Sequence, residues 1–166
     1  MPPADDRSGR AATLVLGVGN ILYQDEGVGV AAAAALAARR FPGIDVLDGG
    51  TLGLSLFSEV EGRGSLLIFD AVAGSGEPPG TVLVLGPQIV SRGLQLCLSA
   101  HQLGISELLA TTALAGQAPQ RVLAVTMAPA SLELGYGLTA VAQRALGDMV
   151  ARGINALIDW GAIDQA

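Results

Sequence analysis

The residues able to do chemistry are few, and most stand where an apolar run stops. Asn20, Asp25 and Glu26 follow the run Thr13 to Val18, Asp48 closes the shorter run Ile44 to Leu47, and Asp70 sits inside Ser65 to Val72 (SLLIFDAV). His101, the single histidine, comes one crossover later. Two carboxylates and an imidazole meeting in one pocket make a mixed oxygen–nitrogen metal site. Such a site suits zinc, nickel, manganese or iron rather than a thiolate-seeking metal. Each residue also has a plainer role. Asp25 and Glu26 suit the start of a helix, Asp48 before Gly49-Gly50 suits a turn, and a lone histidine is often a hydrogen-bonded structural residue. Asp70 is the hardest to dismiss: it follows Leu66-Leu67-Ile68-Phe69 into a buried layer, where an unpaired carboxylate is costly. Cys97 has no basic neighbour in sequence and reads as a small packed or partly exposed side chain.

The elements that must position these groups alternate. Thr13 to Val18, Ile44 to Leu47, Ser65 to Val72, Thr81 to Leu85 and Arg121 to Met127 are short apolar runs of strand type. Between them, Gly27 to Arg40, Leu52 to Val60, Gln102 to Leu114 and Leu138 to Trp160 read as helices, the last with an apolar stripe through Leu138, Val141, Ala142, Ala145, Met149 and Ile154. Alternation of this kind predicts a three-layer α/β/α sandwich on a mostly parallel, twisted sheet of about five strands. Thr81 to Leu85 follows its predecessor through the loop 73–80 with no helix between, so it is expected antiparallel at an edge. Thr13 to Val18 and Ser65 to Val72, almost wholly apolar, are expected as adjacent central strands. The reading gives a flexible tail over 1–12, a single domain over 13–160 and a short tail over 161–166. In an open sheet of this type ligands gather outside the carboxyl ends of the strands, which is where these polar groups fall.

Composition narrows the function. The 166 residues carry a net charge of −6, and all nine cations are arginines scattered along the chain, which disfavours nucleic acid and anionic lipid. The longest apolar run, Gly27 to Ala38, is too short and too alanine-rich to span a membrane. The first twelve residues, with Asp5 and Asp6 and no apolar stretch, do not resemble a signal peptide, so a cytoplasmic location is expected. One cysteine allows neither an internal disulfide nor a thiolate zinc site. Gly17-Val18-Gly19 after a strand suggests dinucleotide binding, but that fingerprint needs glycine where Leu22 stands. Asp25 and Glu26 would also repel a phosphate at the helix start, where a cation is the better guest.

The stretches GVGNILYQDEGVGV (17–30), LDGGTLG (47–53), FDAV (69–72), PPGTV (78–82) and SAHQLG (99–104) together resemble the nickel–iron hydrogenase maturation endopeptidases. The resemblance runs from Leu14 to about Ile158. It implies an endopeptidase that cuts the C-terminal extension from a hydrogenase large-subunit precursor after nickel insertion. It also implies nickel contacts at Glu26, Asp70 and His101, with Asp70 and His101 in the catalytic machinery. Asp48 takes the position tied to activity and substrate choice, as general base or orienting group. Ala100 and Leu134 stand where many relatives carry proline, which touches loop geometry and leaves the ligand set intact. Nickel would either activate the scissile carbonyl and a water or serve as a recognition handle carried in by the substrate, with zinc or cadmium able to stand in for it. A monomer that binds neither nucleic acid nor membrane is expected. The alternatives are a nickel-binding maturation factor without peptidase activity and a nucleotide-binding enzyme.

Overall fold

The computed structural model describes residues 9–88 and 100–164, with 100–103 described by their backbone alone. Five strands form one sheet: β1 (Thr13–Val18), β2 (Ile44–Gly50), β3 (Ser65–Ala71), β4 (Val82–Leu85) and β5 (Arg121–Met127), in the order β2-β1-β3-β5-β4. β1 pairs in parallel with β2 and β3, and β3 with β5, while β4 runs antiparallel to β5 at the edge, as its short connection predicts. The helices are α1 (Val28–Ala37), α2 (Phe57–Val60), α3 (Ala100–Leu114) and α4 (Ala140–Asp159).

Every residue of β1 and β3 is buried, because both faces of the sheet are covered. Alternate side chains then feed two cores. Val15, Leu67, Phe69, Val125 and Met127 pack with α1 and α4, including Ala32, Leu36, Met149 and Leu157. Leu14, Leu16, Leu66, Ile68 and Ala124 pack on the other face with Leu56, Val60, Ile105 and Leu108. The result is the expected three-layer sandwich.

Element ends differ from expectation for local reasons. A 3-10 turn over Gln24–Gly27 precedes α1, and α1 stops at Ala37 because Arg40 turns left-handed with φ 55° ahead of Pro42. β2 continues past Leu47: Asp48 pairs with Gly17 and Gly50 with Val18, across a register shift. The Leu52 to Val60 stretch is a 3-10 turn (Gly53–Leu56) running into α2. α4 begins late because the Thr139 hydroxyl accepts from Ala142 N at 3.3 Å and caps it there.

The end of the segment read as an N-terminal tail is bonded. Ala12 O accepts from Gly64 N at 2.8 Å, and Ala11 N donates to Asp45 Oδ2 at 3.0 Å. Arg63, buried, pairs with Asp45 and donates to Glu59 O at 2.9 Å, tying β2 to α2. At the other end Ile163 is buried against the first core. Cys97 lies outside the described residues. Among the described residues no helix is long and apolar enough to cross a membrane.

The Arg63 guanidinium, bonding to the Asp45 carboxylate, holds it below the usual range against the opposing effect of burial. A depressed folded value means stability present above the unfolded value, ~3.9, and lost as pH falls through the folded one. Asp45 is 38% exposed, so screening limits the pair to about 1 kcal/mol. Asp45→Asn should lower Tm by about 2–4 °C at pH 7. In calorimetry that difference should close as the pH drops well below 4, where wild type loses the same interaction.

Candidate active site

The carboxyl edge of the sheet sets out the polar groups in register. Gly17 lies between Asp48 on β2 and Phe69 on β3; one residue further, Asp70 lies beside Thr126 on β5. The turn carrying Glu26 reaches this edge through two close backbone approaches. Gly19 has φ 130°, and a Cβ there would fall 1.8 Å from the Glu26 carbonyl oxygen. A Cβ at Gly29 would fall 2.3 Å from the carbonyl oxygens of both Val18 and Phe69. The glycines of the 17–30 motif thus let the first turn and α1 lie directly on the ends of β1 and β3. They serve backbone packing, which accounts for the spacing without a phosphate. Gly19 N also donates to Gly50 O at 2.9 Å, joining this loop to the end of β2 that carries Asp48.

Asp70 is 3% exposed, and alternation with Leu66 and Ile68 places it on the sheet face covered by α2 and α3. Its Oδ1 accepts from Ala71 N at 2.8 Å. Thr126 shares that face with Ala124, and its buried hydroxyl has no hydrogen-bond partner among the described residues. A threonine in an apolar strand gave the sequence little to single out. Asp48 is exposed and accepts from Gly50 N at 2.9 Å, so it does shape the Asp-Gly-Gly turn while facing solvent at the rim. Glu26 is half-buried. His101 is the second residue of α3, and its imidazole lies outside the described residues. Among the described residues no group of three or more His, Cys, Asp and Glu side chains is spaced to hold a metal. The structure therefore brings Asp48, Asp70 and the Glu26 turn to one edge; any closure of the set would depend on His101.

Asp25 has a role that sequence reasoning missed. It caps neither the 3-10 turn nor α1. Fully buried, it reaches across to the 130–139 segment: Oδ2 accepts from Ala130 N (2.9 Å), Ser131 N (3.3 Å) and the Thr139 hydroxyl (2.8 Å), and Oδ1 from Thr139 N (2.8 Å). Backbone bonds extend the clamp, from Gln24 N to Gly135 O and from Gly135 N to Leu22 O.

Around these loops stand exposed apolar side chains, among them Leu22, Leu52, Leu134 and Tyr136. Hollows open near them among the described residues. One of about 340 Å³ lies between residues 72–77 and 128–132. Another, about 300 Å³ and lined by Ile21, Val30, Ala34, Tyr136 and Leu138, lies beside the Glu26 turn.

The family model described as hydrogenase maturation protease (HycI) matches residues 30–156. The chain belongs to the hydrogenase maturation protease family. It is 35% identical over 150 residues to the hydrogenase 2 maturation protease of Escherichia coli, covering 89% of this chain and 92% of that protein. It is 38% identical over 154 residues to the hydrogenase expression/formation protein HoxM of Cupriavidus necator, covering 90% and 76%. The solved hydrogenase maturating endopeptidase HybD from E. coli superposes with a TM-score of 0.85 at 34% identity, over 90% of this chain and 93% of that one. As a hydrogenase maturation protease this chain is an endopeptidase. Relatives named for an activity are named as proteases, which supports proteolysis over a purely nickel-binding role.

Removing the Asp25 carboxylate leaves four part-buried donors of the 130–139 segment without their acceptor. Asp25→Ala should cost about 3 kcal/mol and lower Tm by about 6–12 °C, measured by calorimetry. The same variant should expose the 130–139 segment to limited proteolysis before the sheet unfolds.

Proposed function

We propose that this protease removes the C-terminal extension of a nickel–iron hydrogenase large-subunit precursor once nickel has been inserted. In this reading Glu26, Asp70 and His101 contact the nickel that the precursor carries, and Asp48 orients the peptide or takes the proton of the attacking water. The observation that supports it most is the position of Asp70. A carboxylate buried on the sheet face of Leu66 and Ile68 is a poor core residue, yet it stands next to last in the central strand, at the edge that also holds Asp48 and the Glu26 turn.

Two carboxylates and an imidazole hold nickel weakly, whereas a nickel already bound by thiolates of the precursor arrives at high effective concentration. Such a gate makes cleavage wait for metal insertion. The chemistry left to the protease is peptide hydrolysis. Water adds to the scissile carbonyl carbon, the C–N bond breaks, and the leaving nitrogen takes a proton. Asp48, exposed at the rim, is suited to accept the first proton from water. The exposed apolar side chains around the edge favour a protein-sized substrate over a small molecule. With nine scattered arginines and a net charge of −6, we assign no nucleic-acid partner; a cytoplasmic reaction carried out by a monomer is part of the same proposal.

Intact-mass spectrometry of nickel-loaded and metal-free precursor tests the gate. Wild type should release the extension only from the loaded form, and His101→Ala should release none while keeping its Tm within about 2 °C. Asp48→Asn should lower kcat by about 10²–10⁴-fold if Asp48 is the general base. Equal cleavage of metal-free precursor would refute the gate, and unchanged cleavage by His101→Ala would remove that residue from the reaction.

A further inference from the structure

Two glycines of the sequence motifs touch each other in the fold. Gly53 ends the stretch LDGGTLG and Gly104 ends SAHQLG. A Cβ at Gly104 would lie 2.9 Å from Gly53 Cα, and a Cβ at Gly53 would lie 3.1 Å from Gly104 Cα. Both contacts are to backbone, so no side chain can swing aside. Gly53 also adopts φ 50°, which turns the chain into the 3-10 turn that follows. Glycine inside a helix is unfavourable relative to alanine, so Gly104 within α3 needs a reason, and the crossing supplies one.

We infer that the Gly53–Gly104 crossing is a positioning contact for the cleavage reaction, holding the turn that follows Asp48 and the first turn of α3 at one spacing. The inference rests on the roles proposed above for Asp48 and His101. Asp48 lies five residues before Gly53, and His101 lies three residues, about one helical turn, before Gly104. The two elements also share a core, with Leu56 from the turn and Ile105 and Leu108 from α3 all buried together. A close-packed core transmits a displacement rather than absorbing it. Ordinary contact begins near 3.4 Å, so an added methyl group must push helix and turn apart by about 0.5 Å or more. Misplacing reacting groups by ~1 Å can cost about 10²-fold in rate.

The test uses the full chain and three variants: Gly104→Ala, Gly53→Asn and, as a control, Gly147→Ala. Gly147 lies within α4 and its Cβ would meet nothing within 4 Å. Asn tolerates the left-handed backbone of Gly53 while filling the contact from the loop side. Because the chain has one histidine, its imidazole NMR signal reports on His101 without assignment. Gly104→Ala should lower kcat on nickel-loaded precursor by about 10- to 100-fold, leave KM within about twofold, and shift the imidazole signal at fixed pH. Gly147→Ala should change none of these. Wild-type kcat or an unmoved imidazole signal in Gly104→Ala would overturn the inference, as would an equal loss in Gly147→Ala. If Gly104→Ala does not fold, Gly53→Asn decides by the same readouts. If neither folds, the contact is structural and the positioning role is wrong. A wild type that leaves loaded precursor uncut would instead fail the proposed function, and the imidazole comparison would still judge the crossing.

Discussion

A single buried carboxylate organises the end of the sheet where the candidate site lies. Asp25 accepts two hydrogen bonds from Thr139 and one each from the backbone of Ala130 and Ser131. A charge with no exposed surface is tolerated only when donors surround it, and these donors replace the water it lost. The same bonds fix the segment after β5 against the loop after β1 and hold Thr139 where its hydroxyl caps α4. Glu26, next in the chain, is therefore carried on a turn secured on both sides, by Asp25 to the 130–139 segment and by the Gly19 approach to β1.

Parallel pairing does the rest of the positioning. Because β1 and β3 are covered on both faces, the only open ground is at the strand ends, and the carboxyl end is where the loops diverge. Asp48 on β2, and Asp70 and Thr126 on the adjacent β3 and β5, stand there, one exposed and two buried. The difference in burial separates their chemistry. Asp48 faces solvent at the rim, while Asp70 is 3% exposed and accepts from Ala71 N. The exposed apolar side chains on the surrounding loops suit a protease whose family acts in hydrogenase maturation, since exposed apolar patches mark protein-contact surfaces.

The sandwich was legible because its central strands are unbroken apolar runs and its helices carry stripes or alanine-rich faces. Burial on both sides writes that pattern into consecutive residues. The antiparallel edge strand was legible because the loop 73–80 is too short to hold a crossover helix. Helix ends were not, since Arg40 and Thr139 terminate or start helices through a backbone turn and a capping bond that periodicity does not encode. Asp70 announced itself as a charge inside an apolar strand, and its burial follows from that alone.

What the sequence by itself determined, then, is which segments are strands and helices, which polar residues end them, and the family to which those blocks belong. What only the tertiary structure decided is how neighbouring residues divide their work. Asp25 and Glu26 are adjacent acids at the start of one helix and are indistinguishable by type, spacing or local pattern. Asp25 becomes a structural clamp because its partners, from 105 to 114 residues away, are brought to it by the pairing of β3 with β5 and the return of α4. Gly53 and Gly104 end two separate sequence motifs, and only the fold shows that they meet, where two elements cross with no room for a Cβ. Contacts between distant segments depend on strand order and helix packing, and no local spacing of residue types contains that information.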